Sequence, residues 1–138
     1  MENFQVIERI PDVEEYNTLK KMVGWDILDD DSITARGLNN SLYTVCVEHK
    51  GLLIAMGRVI GDNGIYFHIQ DVIVDPLHQG KGLGKAIMKK LMDYVNDKAA
   101  KYSMVGLMCA KDKEPFYHNL GFVSRPSNIY GAGMMMVL

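Results

Sequence analysis

Cysteine is scarce: the chain has two in 138 residues, Cys46 and Cys109, each inside an apolar run, with no Cys-x-x-Cys pair and no His at ligand spacing. That excludes a disulfide framework and gives no sign of a metal site, leaving two small buried hydrophobes in a reducing compartment as the expectation. Proline occurs four times and tryptophan once, and no linker, repeat or low-complexity stretch breaks the chain. No run approaches the roughly twenty uncharged apolar residues that a membrane span needs. The start, Met1-Glu2-Asn3-Phe4, lacks the basic and then apolar character of a signal peptide. The expectation is a cytoplasmic protein without a membrane partner, folded as a single domain over residues 1–138.

Excess charge of one sign is lacking too, the formal net charge being −2. The balance hides a split: residues 1–70 carry eleven acids against six bases, and residues 71–138 nine bases against six acids. Such halves suit an enzyme that takes a cationic amine on one side and a phosphorylated cofactor on the other, and equally suit solvated faces that happen to differ. Lys81, Lys85, Lys89 and Lys90 share one short helix face instead of lining an extended groove with interleaved aromatics. Nucleic acid is therefore not an expected partner.

What the chain does have is glycine at one telling place. His68 to Asp75 reads as a buried strand rich in β-branched residues, stops at Pro76, and turns through Gly80, Gly82 and Gly84 into a helix with apolar positions Leu83, Ile87, Leu91, Tyr94 and Val95. Strand, glycine loop and helix build an anion cradle. The glycines remove the Cβ atoms that would hold a ligand off the backbone, and the free N–H groups of the first helical turn then point at it. Two familiar phosphate loops are excluded by spacing. Three residues separate Gly80 from Gly84-Lys85, and Ala86 follows, so this is not a Walker loop; the glycines are also mid-chain and misplaced for a dinucleotide fingerprint.

Elsewhere the pattern predicts a strand over Phe4–Arg9, a helix from Pro11-Asp12 to about Met22, and a short helix after Asp29-Asp30-Asp31 ending near Gly37–Asn40. Strands are expected over Ser41–Glu48, Leu52–Ile60 and Ile65–Asp75, joined by His49-Lys50-Gly51 and Gly61–Gly64. The glycine-loop helix should end near Lys98. A strand over Met104–Ala110, a short helix over Glu114–Leu120, and a hairpin of Gly121-Phe122-Val123 with Met134–Leu138 complete the reading. A helix between strands 65–75 and 104–110 is a crossover, so that pair should be parallel within an otherwise antiparallel sheet. Alternation along 65–75 places His68, Gln70, Val72 and Val74 on one face and Phe67, Ile69, Asp71 and Ile73 on the other.

Gln79-Gly80-Lys81-Gly82-Leu83-Gly84 fits a Gln/Arg-x-x-Gly-x-Gly/Ala signature, and Glu114-Pro115-Phe116-Tyr117-His118-Asn119-Leu120-Gly121-Phe122 contains Phe-Tyr-x-x-x-Gly-Phe. On these segments the chain, from about Leu42 onward, resembles the GNAT superfamily of acyl-CoA-dependent N-acyltransferases. The resemblance implies an α+β fold with an approximately seven-stranded, mostly antiparallel sheet, one splayed parallel pair and about four helices. It implies acetyl-CoA as the acyl donor, its pantetheine arm lying against the backbone of Val72, Ile73 and Val74. The pyrophosphate falls to Gln79, Gly80, Lys81, Gly82, Leu83, Gly84 and Lys85, with Phe116 and Tyr117 nearby. No metal is implied.

Acyl transfer to an amine needs a neutral amine and a proton for the departing thiolate. The resemblance places Tyr117 beside the sulfur as general acid, and a phenol with an ordinary pKa of about 10 stays protonated at neutral pH. It places His68 where relatives hold a general base, and imidazole changes charge near neutral pH. A core tyrosine and a structural histidine are the competing readings, and Asp71 is the rival base. Relatives often carry an Asn seven residues before the Tyr, where this chain has Ala110. Segments bearing Trp25, Tyr43, Arg58, Tyr66 and Tyr130 surround the acceptor cleft in the resembled fold, so Trp25, Tyr66 and Tyr130 are the substrate-binding candidates. The function expected is transfer of an acetyl group to a small primary amine within a ternary complex, without a covalent intermediate. A non-catalytic acyl-CoA-binding module and a protein or peptide acetyltransferase are the alternatives. The apolar run Met134-Met135-Met136 reads as core or as a dimer-forming edge strand, and a homodimer is a further expectation.

Overall fold

A computed structural model describes residues 3–138, arranged as two compact units, 3–106 and 107–138. In order come β1 (Gln5–Glu8), α1 (Val13–Met22), α2 (Asp31–Asn39), β2 (Tyr43–His49), β3 (Leu52–Gly61), β4 (Tyr66–Val74), a 3-10 turn (Pro76–His78), α3 (Leu83–Lys98), β5 (Met104–Leu107) and α4 (Glu114–His118). The strands lie side by side in sequence order. β1 to β4 pair antiparallel, and the α3 crossover makes β4 and β5 the parallel pair. The mixed sheet and four helices are those expected from sequence.

Local chemistry sets the helix ends. Asp12 and Glu15 form a reciprocal capping box on α1, each side chain accepting from the other's N–H at 2.8 Å. Arg9 clamps the same Glu15 with two bonds of 2.6 and 2.9 Å and reaches Glu48 of β2 at 3.3 Å, which ties the helix start to the sheet. Asp30, from the acidic run, caps α2 through Ser32 N–H at 2.9 Å.

β2 and β3 are buried almost continuously, because helices cover both faces of the sheet. On one face Tyr16, Leu19 and Leu38 of α1 and α2 pack with Cys46, Met56 and Ile73. On the other, Ile87 and Leu91 of α3 press so closely on β3 that a Cβ at Gly57 would stand 2.5 Å from one and 2.9 Å from the other. Glycine is required there by close packing.

Opposite Gly57 the ladder slips. Met56 pairs with Ile73 and Arg58 with Gln70, so Gly57 faces two residues, Asp71 and Val72. This is a β-bulge, and Asp71 adopts φ +54° to make it. Directly opposed side chains share a face, which puts Gln70 with Arg58 and His68 with Ile60 on the α1 and α2 side. Val72 lies with Gly57 on the α3 side, its Cγ2 3.5 Å from the Gly57 Cβ position. The even alternation expected along β4 therefore fails: the extra residue separates His68 and Gln70 from Val72 and Val74.

In the second unit, α4 is followed by turns only. Gly121 N–H donates to His118 O at 3.0 Å and Ser127 N–H to Tyr130 O at 2.8 Å, and no strand forms over residues 119–138. The expected hairpin is absent, and the sheet has five strands instead of about seven. Met134 to Leu138 are each at least 74% exposed. A two-stranded hairpin without a covering layer is marginal, so an apolar run alone does not make one.

Candidate active site

Pro76 ends β4, and Asp75 closes the turn that follows by accepting from Leu77 N–H at 2.9 Å. Gln79 then ties the loop back to the strand, its Nε2 donating to Val74 O at 3.1 Å. Gly80 and Gly82 take φ +78° and +81°, and a Cβ built on either meets nothing within 4 Å. Gly82 starts α3 with no side chain capping it. Helix geometry leaves the N–H groups of Leu83, Gly84 and Lys85 without intrahelical acceptors, while the Leu83 side chain is buried as the helix's anchor. Open space, two side-chain-free residues and uncapped N–H groups suit the diphosphate of an acyl-CoA. Lys85 is exposed beside them, and Lys81 Nζ lies 5.7 Å from the Phe4 ring.

Strand lengths leave the end of β4 extending past its neighbour. The Met104 N–H donates to Ile65 O at 2.8 Å, just before β4 begins. β5 has four residues and β4 nine, so at about 3.3 Å per residue β5 ends well short of Val72 to Val74. The backbone groups of Val72 thus face an edge on that side, whereas those of Ile73 point the other way, toward Met56 of β3, in phase with the Asp75 N–H that donates to Ile54 O; the Val74 carbonyl is occupied by Gln79.

On the opposite face, a chain of polar groups leads to His68. Its Nε2 lies 3.1 Å from Gln70 Oε1, and Gln70 Nε2 donates to Asp71 Oδ1 at 3.4 Å. Asp71 Oδ2 accepts from Arg58 Nε at 2.8 Å and Tyr16 OH at 2.7 Å. Burial, then the Asp71 charge, hold the Tyr16 phenol well above its usual range, so it remains a donor. Gln70 and Asp71 form one wall of a cleft of about 350 Å³ between α1, α2 and the sheet. Two atoms of its lining residues, Asn17 Oδ1 and Thr34 Oγ1, are buried without a hydrogen-bond partner among the described residues.

In the second unit, Tyr117 sits half-buried on α4, its ring edge-on to Phe116 at 5.0 Å and Phe122 at 6.1 Å. Burial, with the Cys109 thiol next in weight, raises its pKa above the ordinary 10. Burial also raises Cys109, with Glu114 adding to it, and pushes Cys46 up to about 12. Neither thiol is a ready thiolate.

The aromatic candidates fall in different places. Trp25 packs on the α1 and α2 core. Tyr66 is exposed at the start of β4. Tyr130 stacks under Arg125, 5.1 Å away in the second unit. Tyr43 stacks on Tyr94 of α3 at 4.8 Å and donates to Glu8. None of these lines the described cleft, whereas Arg58 does. Gln70, Tyr16, Asn17 and Thr34 were not legible as site residues. The signal that bore on them was Gly57, a lone glycine inside a strand pattern, which marks a bulge.

The sequence profile of the acetyltransferase (GNAT) domain matches residues 13–137. A solved structure from meticillin-resistant Staphylococcus aureus, a protein of unknown function described as a probable acetyltransferase, superposes with a TM-score of 0.90 at 32% identity, covering 99% of this chain and 100% of that one. Histone acetyltransferase TAP1 of Glycine max is 32% identical over 130 residues, which is 87% of this chain and 55% of that protein. Glucosamine 6-phosphate N-acetyltransferase of Trypanosoma brucei brucei is 39% identical over 66 residues, 48% of this chain and 40% of that protein. The chain thus spans about half the length of these two curated relatives.

Proposed function

The chain belongs to the GNAT acetyltransferase family, and from that premise we propose that it transfers the acetyl group of acetyl-CoA to the nitrogen of a small primary amine. Acetyl-CoA, when bound, supplies a thioester with a good leaving group. The N–H groups from Gly80 to Lys85 would hold its diphosphate, and the β4 edge at Val72 offers backbone partners to an amide-bearing arm. His68 takes a proton from the acceptor ammonium, freeing its lone pair for attack on the acyl carbon. Tyr117 gives a proton to the departing sulfur. With both thiols held protonated, transfer is direct and no acyl-enzyme forms.

The observation that carries this reading is the uncapped start of α3 behind two left-handed glycines with open space above them. The acceptor reading rests on the cleft of about 350 Å³, within the range of small-molecule sites. Similarity to a histone acetyltransferase supports a protein acceptor as the second reading. Against it, the cleft's cations are Lys20 and Arg58 and its one acid, Asp71, is paired, an arrangement that repels a peptide carrying several positive charges more than an acceptor carrying one. Release of free CoA thiol from acetyl-CoA, measured across a panel of small amines and basic peptides, tests both. Turnover with small amines is expected. Turnover with peptides alone would move the assignment to the second reading, and none with any acceptor would remove the enzymatic one.

A further inference from the structure

We propose that Gln70 is a positioning residue that fixes His68 as the Nε2–H tautomer, leaving Nδ1 as the proton-accepting nitrogen. The inference deepens the base role given to His68 above and rests on it. A carboxylate only accepts hydrogen bonds. Asp71 Oδ2 is occupied by Arg58 and Tyr16, and Oδ1 faces the Gln70 side chain at 3.4 Å. The NH₂ end of that amide must therefore point at Asp71, because the reverse orientation would set two acceptors against each other. Its carbonyl end then faces His68 Nε2 at 3.1 Å, and an acceptor there requires the proton on Nε2. The bulge makes the arrangement possible. By turning Asp71 to the Gln70 side of the sheet at φ +54°, it places two consecutive residues where regular pleating would separate them.

Nδ1 has room. It lies 3.8 Å from a Cβ built on Gly106, so glycine at that position of β5 keeps a side chain off that edge of the ring. Across the sheet His68 is opposed by Ile60, and the charged and titratable groups near it act through Gln70: Asp71, its partner Arg58, and the neutral Tyr16 hydroxyl. In the reaction the ammonium N–H bond breaks and its proton forms a bond to Nδ1. The ring becomes imidazolium, and the Nε2–H continues to donate to Gln70 Oε1.

Multiple-bond ¹⁵N–¹H spectra of the full chain, at a pH where the rings are neutral and with His68 assigned by comparison with His68→Asn, read the tautomer directly. One Nε2–H form is expected in the native protein, and averaging of both nitrogens in Gln70→Leu. A native Nδ1–H form, native averaging, or an unchanged Gln70→Leu spectrum would each overturn the proposal. The native measurement decides even if the variant does not fold. In kinetics, Gln70→Leu should lower kcat about tenfold, as loss of an orienting partner does, with KM for acetyl-CoA unchanged. Equal change in both overturns it. If His68→Asn keeps full kcat while the Nε2–H form is seen, the base assignment falls and the tautomer assignment stands.

Discussion

Arg58 Nε stands 2.8 Å from Asp71 Oδ2, with 14% and 4% of the two side chains exposed, at the point where β4 carries its extra residue. The pair is the hub of the α1 and α2 face. Tyr16 donates to the same oxygen, while Arg58 Nη1 reaches Ser41 Oγ at 3.1 Å and Gly37 O at 3.3 Å. Removing one partner of a buried pair leaves an uncompensated charge, so Arg58→Ala should lower stability by about 3–5 kcal/mol in urea unfolding. Tyr16→Phe, which removes one donor of several, should cost only about 1–2 kcal/mol. A loss below about 1 kcal/mol for Arg58→Ala would show that water replaces the guanidinium and that the hub is not dry.

Gly57 makes a second, apolar test of the same region. A methyl there would meet Ile87 Cγ2 at 2.5 Å and Leu91 Cδ1 at 2.9 Å, and overpacking of this kind costs about 1–3 kcal/mol. Because both contacts are side-chain termini on one helix, Gly57→Ala should cost less in an Ile87→Ala background, where the Cγ2 methyl is gone, than in the native chain. Strict additivity in the double-mutant cycle would mean that the two sites do not touch.

Gly82 separates strain from function. Gly24 has the same left-handed backbone, φ +78° against +81°, and the same empty surroundings, but it lies between α1 and α2, away from the loop. Alanine at either position should lose a similar amount of stability, about 1–2 kcal/mol. Only Gly82→Ala should weaken acetyl-CoA binding in calorimetry, by tenfold or more, because its Cβ enters the cradle. Equal affinities for the two variants would remove the loop from the donor site.

Glu15 sets an acid limit on α1. Hydrogen bonds from Arg9, and after them the Asp12 N–H, hold its carboxyl below the ordinary 4.5 against the cost of burial. A depressed folded-state pKa means that its stabilisation is fully present above about pH 4.5 and is lost as pH falls through the lower folded value. Glu15→Gln should therefore be less stable than the native chain at neutral pH, and the two curves should converge as pH falls through that lower folded-state value. Parallel curves over the whole range would place the acid sensitivity elsewhere.

Much of this molecule could be read before its coordinates. Asp12 and Glu15 announce a capped helix, Pro76 a strand end, and glycines 80, 82 and 84 a turn into a helix start. These signals are local, each set by residues within one turn of one another. The bulge at Asp71 is not local. An aspartate in the left-handed region is permitted by its own side chain, but the two-for-one register it serves is made with Gly57 on the neighbouring strand, so counting by twos along β4 put His68 on the wrong side relative to Val72. The apolar run Met134 to Leu138 failed for the related reason that a strand exists only where another strand accepts its hydrogen bonds.

Tyr117 is the residue whose role divides an acyltransferase from a binding module. Burial, then the neighbouring Cys109, keep its phenol above the ordinary 10, so it holds its proton throughout the neutral range, as the proposed acid role toward a thiolate of parent pKa about 8.5 requires. Tyr117→Phe keeps the ring between Phe116 and Phe122 and removes only the proton. If that proton serves in the transition state, kcat should fall about 10²-fold or more, while the acetyl-CoA dissociation constant changes less than about twofold. The alkaline limb of the native pH profile should show no loss from this group below pH 10, because a raised pKa extends the protonated range upward. A fall in kcat matched by an equal weakening of acetyl-CoA would make Tyr117 a packing residue and leave the departing sulfur to be protonated by water.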